Sequence, residues 1–401
     1  MTRIKIKQML LQDKQIAIIG GGPGGLTLAR LLQIKGAQVK VYERDYNREV
    51  RAQGATLDLH HDSGLLALET AGLMDAFKEQ YRPGADRLRI LDQNAGIFFD
   101  QHREEDTIGF GDEFFRPEID RGPLRNILLD AMEPDTVVWN SHITGLDPVG
   151  DSWQLIFEDG NTVVADIVIG ADGAKSKIRP LVTPIKPFYS GVTILEANIN
   201  NSEHNAPQIH KLLQGGKIMA LGNSQTISIS AKGDGSLDFY AGWKAGDNWA
   251  TDGRIDFSDH KQVLDWFKKE YINWDSIWTE LFDHPNTVYT LRPQYCMPLD
   301  QSWEASNSMT IIGDAAHLMP PYAGEGVNMA MLDALELSKS LTNEKFADIR
   351  SAIANYEQSM FTRFAEIGKE TLDNTDFMHS PTGLKKLLRM FGQEQDHQSD
   401  T

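Results

Sequence analysis

A glycine turn between two short apolar segments constrains the fold of this chain more than any other feature. Gln15–Ile19 (QIAII) predict a strand that leads directly into Gly20, Gly22 and Gly25, which have the spacing G-x-G-x-x-G. Leucines at helical spacing follow, and Gln38–Tyr42 predict a second strand. A strand, a turn, a helix and a strand within about thirty residues are typical of a βαβ unit. The sequence therefore predicts an α/β fold with a parallel sheet.

The chemistry of this unit favours a bound dinucleotide. Glycines let the backbone approach a pyrophosphate, and the helix N-terminus directs free N–H groups at that anion. Glu43 follows Gly25 by 18 positions, where a carboxylate accepts hydrogen bonds from an adenosine ribose. Glu43 would repel a 2′-phosphate, so the pocket suits FAD or NAD better than NADP, although Arg44 could pair with a phosphate. The glycine pattern occurs once, so a second, nicotinamide cofactor would visit the protein without a domain of its own.

Two later motifs also follow predicted strands. Gly170–Gly173 (GADG) follows one strand, and Gly313–Pro321 (GDAAHLMPP) with Gly324–Asn328 (GEGVN) connects another strand to a helix predicted at Val327–Leu341. The carboxylate of Asp314 can accept hydrogen bonds from sugar or ribityl hydroxyls. The prolines and glycines shape a loop that can bring backbone N–H groups close to a flat ring.

The middle and the end of the chain have different patterns. From about Gly191 to Trp243, short alternating segments separated by turn residues predict an antiparallel sheet and hence a second domain. Val263–Tyr271 has helical spacing. The last sixty or so residues are mostly helical and end in a polar tail that we expect to fray.

Composition excludes several classes of protein. A length of 401 residues suggests two or three domains. The net charge of −18 argues against binding to nucleic acid or anionic lipid. No segment approaches the roughly 18 apolar residues of a membrane span, and no targeting pattern is visible. The lone Cys296 fits a reducing cytoplasm, so we expect a cytoplasmic protein that does not act at a membrane.

These motifs together resemble one enzyme family. Gly20–Gly25 with Glu43, the Gly170–Gly173 motif, and Gly313–Pro321 with its following loop resemble the signatures of the single-component FAD-dependent aromatic hydroxylases typified by p-hydroxybenzoate hydroxylase. Within that family the chain looks most like the tetracycline-inactivating flavin monooxygenases. The supporting stretches are Val41–Asp45 (VYERD), Thr56–His60 (TLDLH), Gly313–Pro321 and Tyr356–Phe361 (YEQSMF).

The resemblance implies a Rossmann-type FAD-binding domain, an antiparallel-sheet substrate domain and a C-terminal helix. We assign the FAD-binding domain to 1–75, 100–182 and 290–350, the substrate-binding domain to 76–99 and 183–289, and the bridging helix with its frayed tail to 351–401. The residues expected at the cofactor are Gly20, Gly22, Gly25, Glu43, Arg44, Arg51 (toward NADPH), Asp58, Arg121, Asp172, Asp314, Gly326 and Asn328. From the residues alone, Arg121 and Arg125 would instead be charges on a solvated helix face.

The resemblance also implies the reaction. FAD, reduced by a visiting NADPH or NADH, activates O2 as a flavin hydroperoxide, which an electron-rich enol or phenol carbon attacks. No side chain is expected to be catalytic, because the cofactor carries the oxygen transfer while the loop of Pro320, Pro321 and Gly324 positions it. The neighbours of His317 indicate a satisfied, partly buried histidine. No histidine pair has metal-ligand spacing, so no metal is expected.

The predicted substrate residues depart from the tetracycline-active pattern. By alignment, Glu196 stands where those enzymes have a glutamine, and Lys217, with Met219 after it, stands where they have an arginine. Glutamate is only an acceptor when ionised, and lysine lacks the planar guanidinium fork. Pro321 and Gly324 complete the expected substrate contacts. Ser228, Ser230 and Asp238 occupy positions where aromatic, amide or imidazole groups are expected.

Several functions remain open at this point. A tetracycline-type polycyclic enol is the leading substrate, and another small phenol or aromatic acid is the competitor. A non-catalytic flavoprotein that binds a drug-like ligand predicts yellow protein without ligand-stimulated NADPH oxidation. A flavin-free dehydrogenase predicts colourless protein, and the paired Asp172-Gly173 and Gly313-Asp314 motifs argue against it. We expect a monomer whose partners are a small-molecule substrate and O2.

Overall fold

The computed structural model of the protein describes residues 10–50, 56–103, 108–250, 253, 255–285 and 287–393. The strands in chain order are β1 (Gln15–Ile19), β2 (Gln38–Tyr42), β3 (Leu57–Asp58), β4 (Leu88–Asp92), β5 (Ile97–Asp100), β6 (Glu118–Ile119), β7 (Val137–Val138), β8 (Ile143–Val149), β9 (Ser152–Phe157), β10 (Thr162–Ala165), β11 (Ile167–Gly170), β12 (Phe188–Ile199), β13 (Lys217–Gly222), β14 (Gln225–Ala231), β15 (Leu237–Lys244), β16 (Tyr289–Cys296) and β17 (Met309–Ile311).

The helices are α1 (Pro23–Ile34), α2 (Leu66–Thr70), α3 (Met74–Gln80), α4 (Arg121–Asp130), α5 (Arg179–Val182), α6 (Ser202–Asn205), α7 (Pro207–Leu213), α8 (His260–Glu270), α9 (Asp314–His317), α10 (Gly326–Leu341), α11 (Ile349–Met378) and α12 (Gly383–Met390). A π-helical turn, His61–Leu65, precedes α2, and 3-10 turns lie at Gln101–Arg103, Asp247–Ala250 and Ser276–Leu281.

A five-stranded parallel sheet forms the first layer, in the order β17-β11-β1-β2-β7. Its central strand β1 is apolar and buried from Ile16 onward, as a parallel strand covered on both faces must be. The helices α1 and α10 pack together in the core on this sheet. The glycine turn, the Gly170–Gly173 motif and the Gly313 turn all follow carboxyl ends of these strands, which lie at one edge of the sheet.

A seven-stranded, mostly antiparallel sheet forms the second unit, in the order β16-β12-β15-β14-β13-β4-β5. The side chains on one face of β12–β15, including Leu195, Ile229 and Phe239, are buried against α7, α8 and the tryptophan-rich segment that follows. The other face carries the alternate residues of the same strands. A three-stranded sheet of β8–β10 and the β3–β6 pair complete the topology.

The long helix α11 contacts both units. Tyr356 near its start donates a hydrogen bond to the carbonyl of Ile311 in the parallel sheet at 3.0 Å. Near its end, Asn374 Nδ2 donates to the carbonyl of Tyr322 at 3.0 Å, and Met378 packs with α12 against Leu221 of the second sheet. The helix therefore connects the seven-stranded sheet to the parallel sheet and to the loop that follows Gly313.

The structure differs from the sequence analysis in the placement of two strands. β16 hydrogen-bonds to β12 inside the seven-stranded sheet, although residues 290–350 were assigned to the FAD-binding domain. The single strand predicted before the Gly170–Gly173 motif is preceded by a second one: β10 and β11 are adjacent in the chain but belong to different sheets. The predicted frayed tail falls largely on 394–401, outside the described residues.

Candidate active site

The glycine turn has a geometry that only glycine permits at two positions. Gly20 has φ of +109°, and a Cβ there would lie 2.3 Å from the carbonyl oxygen of Ala171. A Cβ on Gly25 would lie 2.1 Å from the carbonyl oxygen of Gly20. Gly22 is different, because a Cβ there would meet no atom within 4 Å. The space beside Gly22, at the N-terminus of α1, therefore remains open to a ligand.

Glu43 lies directly after β2 and is buried. Its Oε2 accepts a hydrogen bond from the backbone N–H of Gly21 at 2.6 Å, and its Oε1 accepts one from Asp45 at 2.9 Å. The carboxylate thus lies against the glycine turn, as the ribose assignment requires. Arg44 is exposed beside it, and Arg51 lies outside the described residues.

Asp172 and Asp314 follow neighbouring strands, and a buried arginine connects their loops. The Arg179 guanidinium donates to the carbonyls of Asp314 and Ala315, both at 2.6 Å, and to that of Ala174 at 3.1 Å. Asp172 Oδ2 accepts from the Lys177 amide at 2.6 Å, whereas its Oδ1 is buried with no hydrogen-bond partner among the described residues. Sequence reasoning missed Arg179, since nothing in its local pattern indicates partners more than a hundred residues away.

The Asp314 carboxylate is accessible and receives no hydrogen bond from the described part of the chain. Desolvation by the protein that surrounds the cleft raises its pKa, and the positive charges of His317, Arg121 and Arg179 act in the opposite direction. Arg121 opens α4 and likewise has no hydrogen bond or ion pair to another described residue. An accessible carboxylate and a cation without a protein partner are both available to a cofactor.

Arg125, one turn further along α4, differs from the expected solvated face. It is buried, donates to Asp45 at 3.0 Å and to the carbonyl of Arg48 at 3.2 Å, and lies over the ring of Trp139. The solvated-face interpretation is therefore wrong for Arg125.

The start of α10 is tied to β3 through Asn328, whose side chain is fully buried. Its Nδ2 donates to the carbonyl of Asp58 at 2.9 Å, and its Oδ1 accepts from the amide of His60 at 2.9 Å. Gly324 lies next to Asp58, because a Cβ on Gly324 would be 3.6 Å from the Asp58 carboxylate. Gly326 is the first residue of α10. The predicted residues Asp58, Gly324, Gly326 and Asn328 are therefore neighbours.

His60 is the centre of a charged cluster that the sequence analysis did not identify. Its Nε2 lies 3.1 Å from Asp58 Oδ2, and its Nδ1 lies 3.1 Å from Glu325 Oε1. Burial opposes the charge of His60, but hydrogen bonds with Asp58 and Glu325 outweigh it and raise its pKa to about 9. Burial also opposes the charge of Asp58, yet the bond with His60 and the charge of Lys217 lower its pKa to about 2.

His317 differs from the satisfied histidine that its neighbours predicted, because its Nδ1 is buried with no hydrogen-bond partner among the described residues. It is buried, and its Nε2 lies 2.5 Å from Oδ2 of Asp333 on α10. The same carboxylate accepts from the amide of Gly313 at 2.8 Å and from Arg363 of α11 at 2.6 Å. Asp333 thus holds the Gly313 turn, α9 and α11 together, and no local pattern identified it.

Three of the predicted substrate residues, Glu196, Lys217 and Met219, share one face of the seven-stranded sheet, whereas Pro321 and Gly324 lie in the loop before α10. The register places Met219 opposite Ser228, Ser228 opposite Tyr240 and Tyr240 opposite Glu196. The adjacent row contains Lys217, Ser230, Asp238 and Asn198. This face, opposite the buried tryptophan-rich core, is called the polar face below.

The polar face meets the FAD-side segments at two places. Lys217 forms an ion pair with Glu118 of β6. Burial raises the pKa of Glu118, and the charge of Lys217 opposes that shift. Burial opposes the charge of Lys217, but the carboxylates of Glu118 and Asp58 outweigh it and raise the pKa of Lys217. Lys217 is therefore not a free cation, in contrast to its expected role as a direct substrate contact. Glu196 is also paired, with Arg292 of β16.

The second meeting place is the loop of Pro320, Pro321, Tyr322 and Gly324. The Tyr322 hydroxyl lies 3.3 Å from His379 Nε2, which is also 3.3 Å from the Thr226 hydroxyl on the polar face. His379 Nδ1 donates a hydrogen bond to the carbonyl of Thr375 at 2.8 Å. A Cβ on Gly242 would lie 2.8 Å from the Tyr322 hydroxyl. The loop therefore contacts the polar face directly.

Among the described residues, no group of three or more His, Cys, Asp or Glu side chains is arranged to hold a metal ion. Within the same part of the chain, no helix combines the length and apolar character that crossing a bilayer demands.

These residues fit FAD. The glycine turn leaves the N-terminus of α1 open, Glu43 is in place for a ribose, and Asp314 and Arg121 lie at the same edge of the sheet without hydrogen-bonding partners among the described residues. The fold and the site define a dinucleotide-dependent enzyme whose cofactor segments face a separate, mostly antiparallel sheet.

Comparison with known proteins identifies the family. Residues 13–105 and 155–345 match the family model described as "FAD binding domain", and the chain belongs to this family. It is an FAD-dependent monooxygenase, as the sequence analysis predicted. It is 27% identical over 433 aligned positions to monooxygenase asqM of Emericella nidulans, covering 88% of this chain and 92% of that protein. It is also 27% identical to 3-amino-4-hydroxybenzoate 2-monooxygenase PtnB3 of Streptomyces platensis, in an alignment that covers 94% of this chain and 91% of that protein.

Two solved structures confirm the predicted fold class. Klebsiella pneumoniae HpxO complexed with FAD and uric acid has a TM-score of 0.74 at 20% identity, covering 96% of this chain and 94% of that chain. Tetracycline destructase Tet(51) has a TM-score of 0.68 at 18% identity, covering 96% of each chain.

Proposed function

We propose that this FAD-dependent monooxygenase takes electrons from NADPH or NADH and inserts one oxygen atom from O2 into an electron-rich enol or phenol. The observation that carries the proposal is the contact between the Tyr322 loop and the polar face at Gly242. It brings the segments that fit FAD next to a row of polar side chains able to orient a substrate.

Each part of the site has a limited task in this reaction. When bound, FAD supplies the electron transfer and the activation of oxygen. Glu43, Asp314 and Arg121 would hold the cofactor, with Asp58, Asp172 and Asn328 fixing the loops around it. The N-terminus of α10 would favour negative charge on the flavin by roughly 0.3–2 kcal/mol. The Pro320–Gly324 loop and the polar face would orient the substrate and exclude water.

A tetracycline-type polycyclic enol, inactivated by hydroxylation, is the leading substrate. Its support is the family resemblance of the motifs, to which the fold of Tet(51) adds a structural likeness. Glu196, where the tetracycline-active pattern has glutamine, is held by Arg292. Glu196→Gln should raise tetracycline turnover, because glutamine restores a donor at the drug's polar edge. No change in turnover would count against this position as a substrate contact.

Another small phenol or aromatic compound is the second candidate. One argument for it is the relative named for 3-amino-4-hydroxybenzoate. The other is Lys217, which stands where the tetracycline-active pattern has an arginine and which is paired with Glu118. We further propose that the enzyme acts as a monomer in the cytoplasm and that its partners are a small-molecule substrate and O2, not a nucleic acid or a membrane.

The test begins with the visible spectrum of the purified protein, which should show bound flavin. NADPH and NADH oxidation are then measured with and without a tetracycline and with a panel of phenols, and products are examined for the mass of one added oxygen. Oxidation that yields only peroxide with tetracycline would remove that substrate. A protein with bound flavin but no ligand-stimulated oxidation of either nicotinamide would overturn the proposal.

A further inference from the structure

Three hydroxyl groups on the polar face have no hydrogen-bond partner in the described part of the chain. Ser228 Oγ, Ser230 Oγ and the Tyr240 hydroxyl make no hydrogen bond with another described residue, and all three side chains are partly accessible. Ser228 and Tyr240 are directly opposite each other on neighbouring strands, and Ser230 is two residues from Ser228. Hydroxyls donate and accept, so this group can bind phenol, ketone or amide oxygens.

The charged side chains on the same face are all in ion pairs. Across β12–β16 they are Glu196, Lys217, Asp238, Lys244 and Arg292. Glu196 is paired with Arg292, Lys217 with Glu118, Asp238 with Lys232 at 3.4 Å, and Lys244 with Asp376 at 3.3 Å. A ligand carboxylate on this face would have to compete for a cation that already has a partner, or remain as an uncompensated charge in a partly desolvated site.

We propose, building on the function above, that Ser228, Ser230 and Tyr240 form the substrate-recognition site and select uncharged, oxygen-substituted aromatic compounds over aryl carboxylates. Met219 and Ile194, which share the polar face, supply apolar contact for the rings. Glu196 sets the charge selectivity, because its carboxylate neutralises Arg292.

Arg121 is a competing cation near this face that the proposal must address. It lies near enough to Tyr240 and Asp314 to influence the pKa of both. The proposal assigns Arg121 to the cofactor, with the Asp314 carboxylate offsetting part of its charge. An anionic ligand that depended on Arg121 would therefore contradict the proposal.

The test uses the FAD-loaded protein and two ligands of equal size, a hydroxynaphthamide and the corresponding hydroxynaphthoate. Binding is followed as a perturbation of the flavin absorption spectrum. The neutral amide should bind at least tenfold more tightly than the carboxylate. Equal affinity, tighter binding of the carboxylate, or no binding of either ligand would overturn the inference.

Two kinds of variant test the assignment of residues. Glu196→Gln frees Arg292, so it should reduce the preference for the amide at least threefold by improving carboxylate binding. Ser228→Ala and Tyr240→Phe should each weaken amide binding about two- to tenfold, the range expected for one lost hydrogen bond. Ser359→Ala, on the exposed side of α11, is the control and should change neither affinity.

The outcomes separate this inference from the proposed function. An unchanged preference in Glu196→Gln, or carboxylate binding that is lost in Arg121→Gln, would overturn the neutral-substrate site. FAD content and NADPH oxidation of the same samples report on the monooxygenase itself. An enzyme that oxidises NADPH with an aryl carboxylate would keep the proposed function and lose this inference.

Discussion

At the scale of single residues, the glycine turn separates what the fold needs from what the cofactor needs. Gly20 has a positive φ and no room for a Cβ beside the Ala171 carbonyl, whereas Gly22 has φ of −79° and open space. The backbone conformation therefore requires glycine at position 20, whereas glycine at position 22 leaves room for a ligand at the N-terminus of α1. The two positions can be tested separately.

Gly20→Ala should destabilise the protein even without FAD. The positive φ alone costs about 1–2 kcal/mol for a residue with a Cβ, and the contact with a backbone carbonyl adds to it. Gly22→Ala should change the free energy of unfolding of the FAD-free protein by less than about 0.5 kcal/mol but weaken FAD binding. Urea unfolding and flavin-fluorescence titration measure the two effects, and a Gly22→Ala protein with normal FAD affinity would refute this division.

The His60 cluster predicts a pH dependence of stability. The folded protein raises the pKa of His60 from 6.5 to about 9, so it holds the proton more tightly than the unfolded chain does. The stabilisation of the folded protein by protonated His60 is therefore complete below about pH 6.5 and is lost as the pH rises through about 9. At 1.36 kcal/mol per unit, it amounts to about 3 kcal/mol.

Chemical unfolding measured between pH 6 and pH 10 checks this prediction. His60→Gln should flatten the decline in stability, because the glutamine does not titrate. The exposed His142, paired with Glu158 at the surface, gives the control variant His142→Gln, which should retain the decline. Equal slopes in both variants would assign the pH dependence to other groups.

At the scale of elements, Asp333 connects α10, α11 and the Gly313 turn through three hydrogen bonds. Asp333→Asn would leave the Arg363 guanidinium without its fully buried counter-ion, so it should cost about 3–5 kcal/mol of unfolding free energy and weaken FAD binding. Glu336→Gln is a matched control, because Glu336 also pairs with Arg363 but is about one-third exposed, and it should cost less than about 1 kcal/mol. Urea unfolding distinguishes them, and similar losses in both variants would contradict the central role of Asp333.

The elements that could be predicted were those with a strong local pattern. β1, α1 and β2 followed from the glycine spacing and apolar periodicity, and β14 and β15 followed from alternation. Residues 290–350 were assigned to the FAD-binding domain, whereas β16 pairs with β12 in the seven-stranded sheet, because its sequence, with Pro293 and Arg292 among apolar residues, does not specify which strand it pairs with. Register is a property of two strands and is decided in the folded chain.

The same limit applied to the candidate site. The motif residues Glu43, Asp58, Asp314 and Asn328 were located from sequence spacing and resemblance. Four residues that hold the site together were missed. Arg179, Arg292 and Glu118 pair with Asp314, Glu196 and Lys217, which lie 135, 96 and 99 positions away in the chain. Asp333 contacts Gly313, His317 and Arg363 through a side chain with no motif of its own. The sequence shows that Lys217 and Glu196 are charged, but only the structure shows that Glu118 and Arg292 are their ion-pair partners.

At the scale of the whole molecule, cofactor binding and substrate-side stability should be coupled. The FAD-side segments come from separate stretches of the chain, and α11 links them to the second sheet through Tyr322, His379 and Met378. Five of the eight tryptophans lie in or against the core of the substrate-side sheet. Tryptophan fluorescence therefore reports mainly on the sheet that does not itself bind FAD.

FAD should raise the unfolding temperature seen by tryptophan fluorescence as well as by flavin release. A ligand at a hundred times its Kd adds about 2.7 kcal/mol to the stability of the unit that unfolds with it. If α11 makes the two sheets one cooperative unit, both signals should shift together as FAD is titrated, and Gly22→Ala should need more FAD for the same shift. A tryptophan transition that stays fixed while flavin release moves would mean that the substrate-side sheet unfolds alone and that the contacts of α11 do not couple the domains.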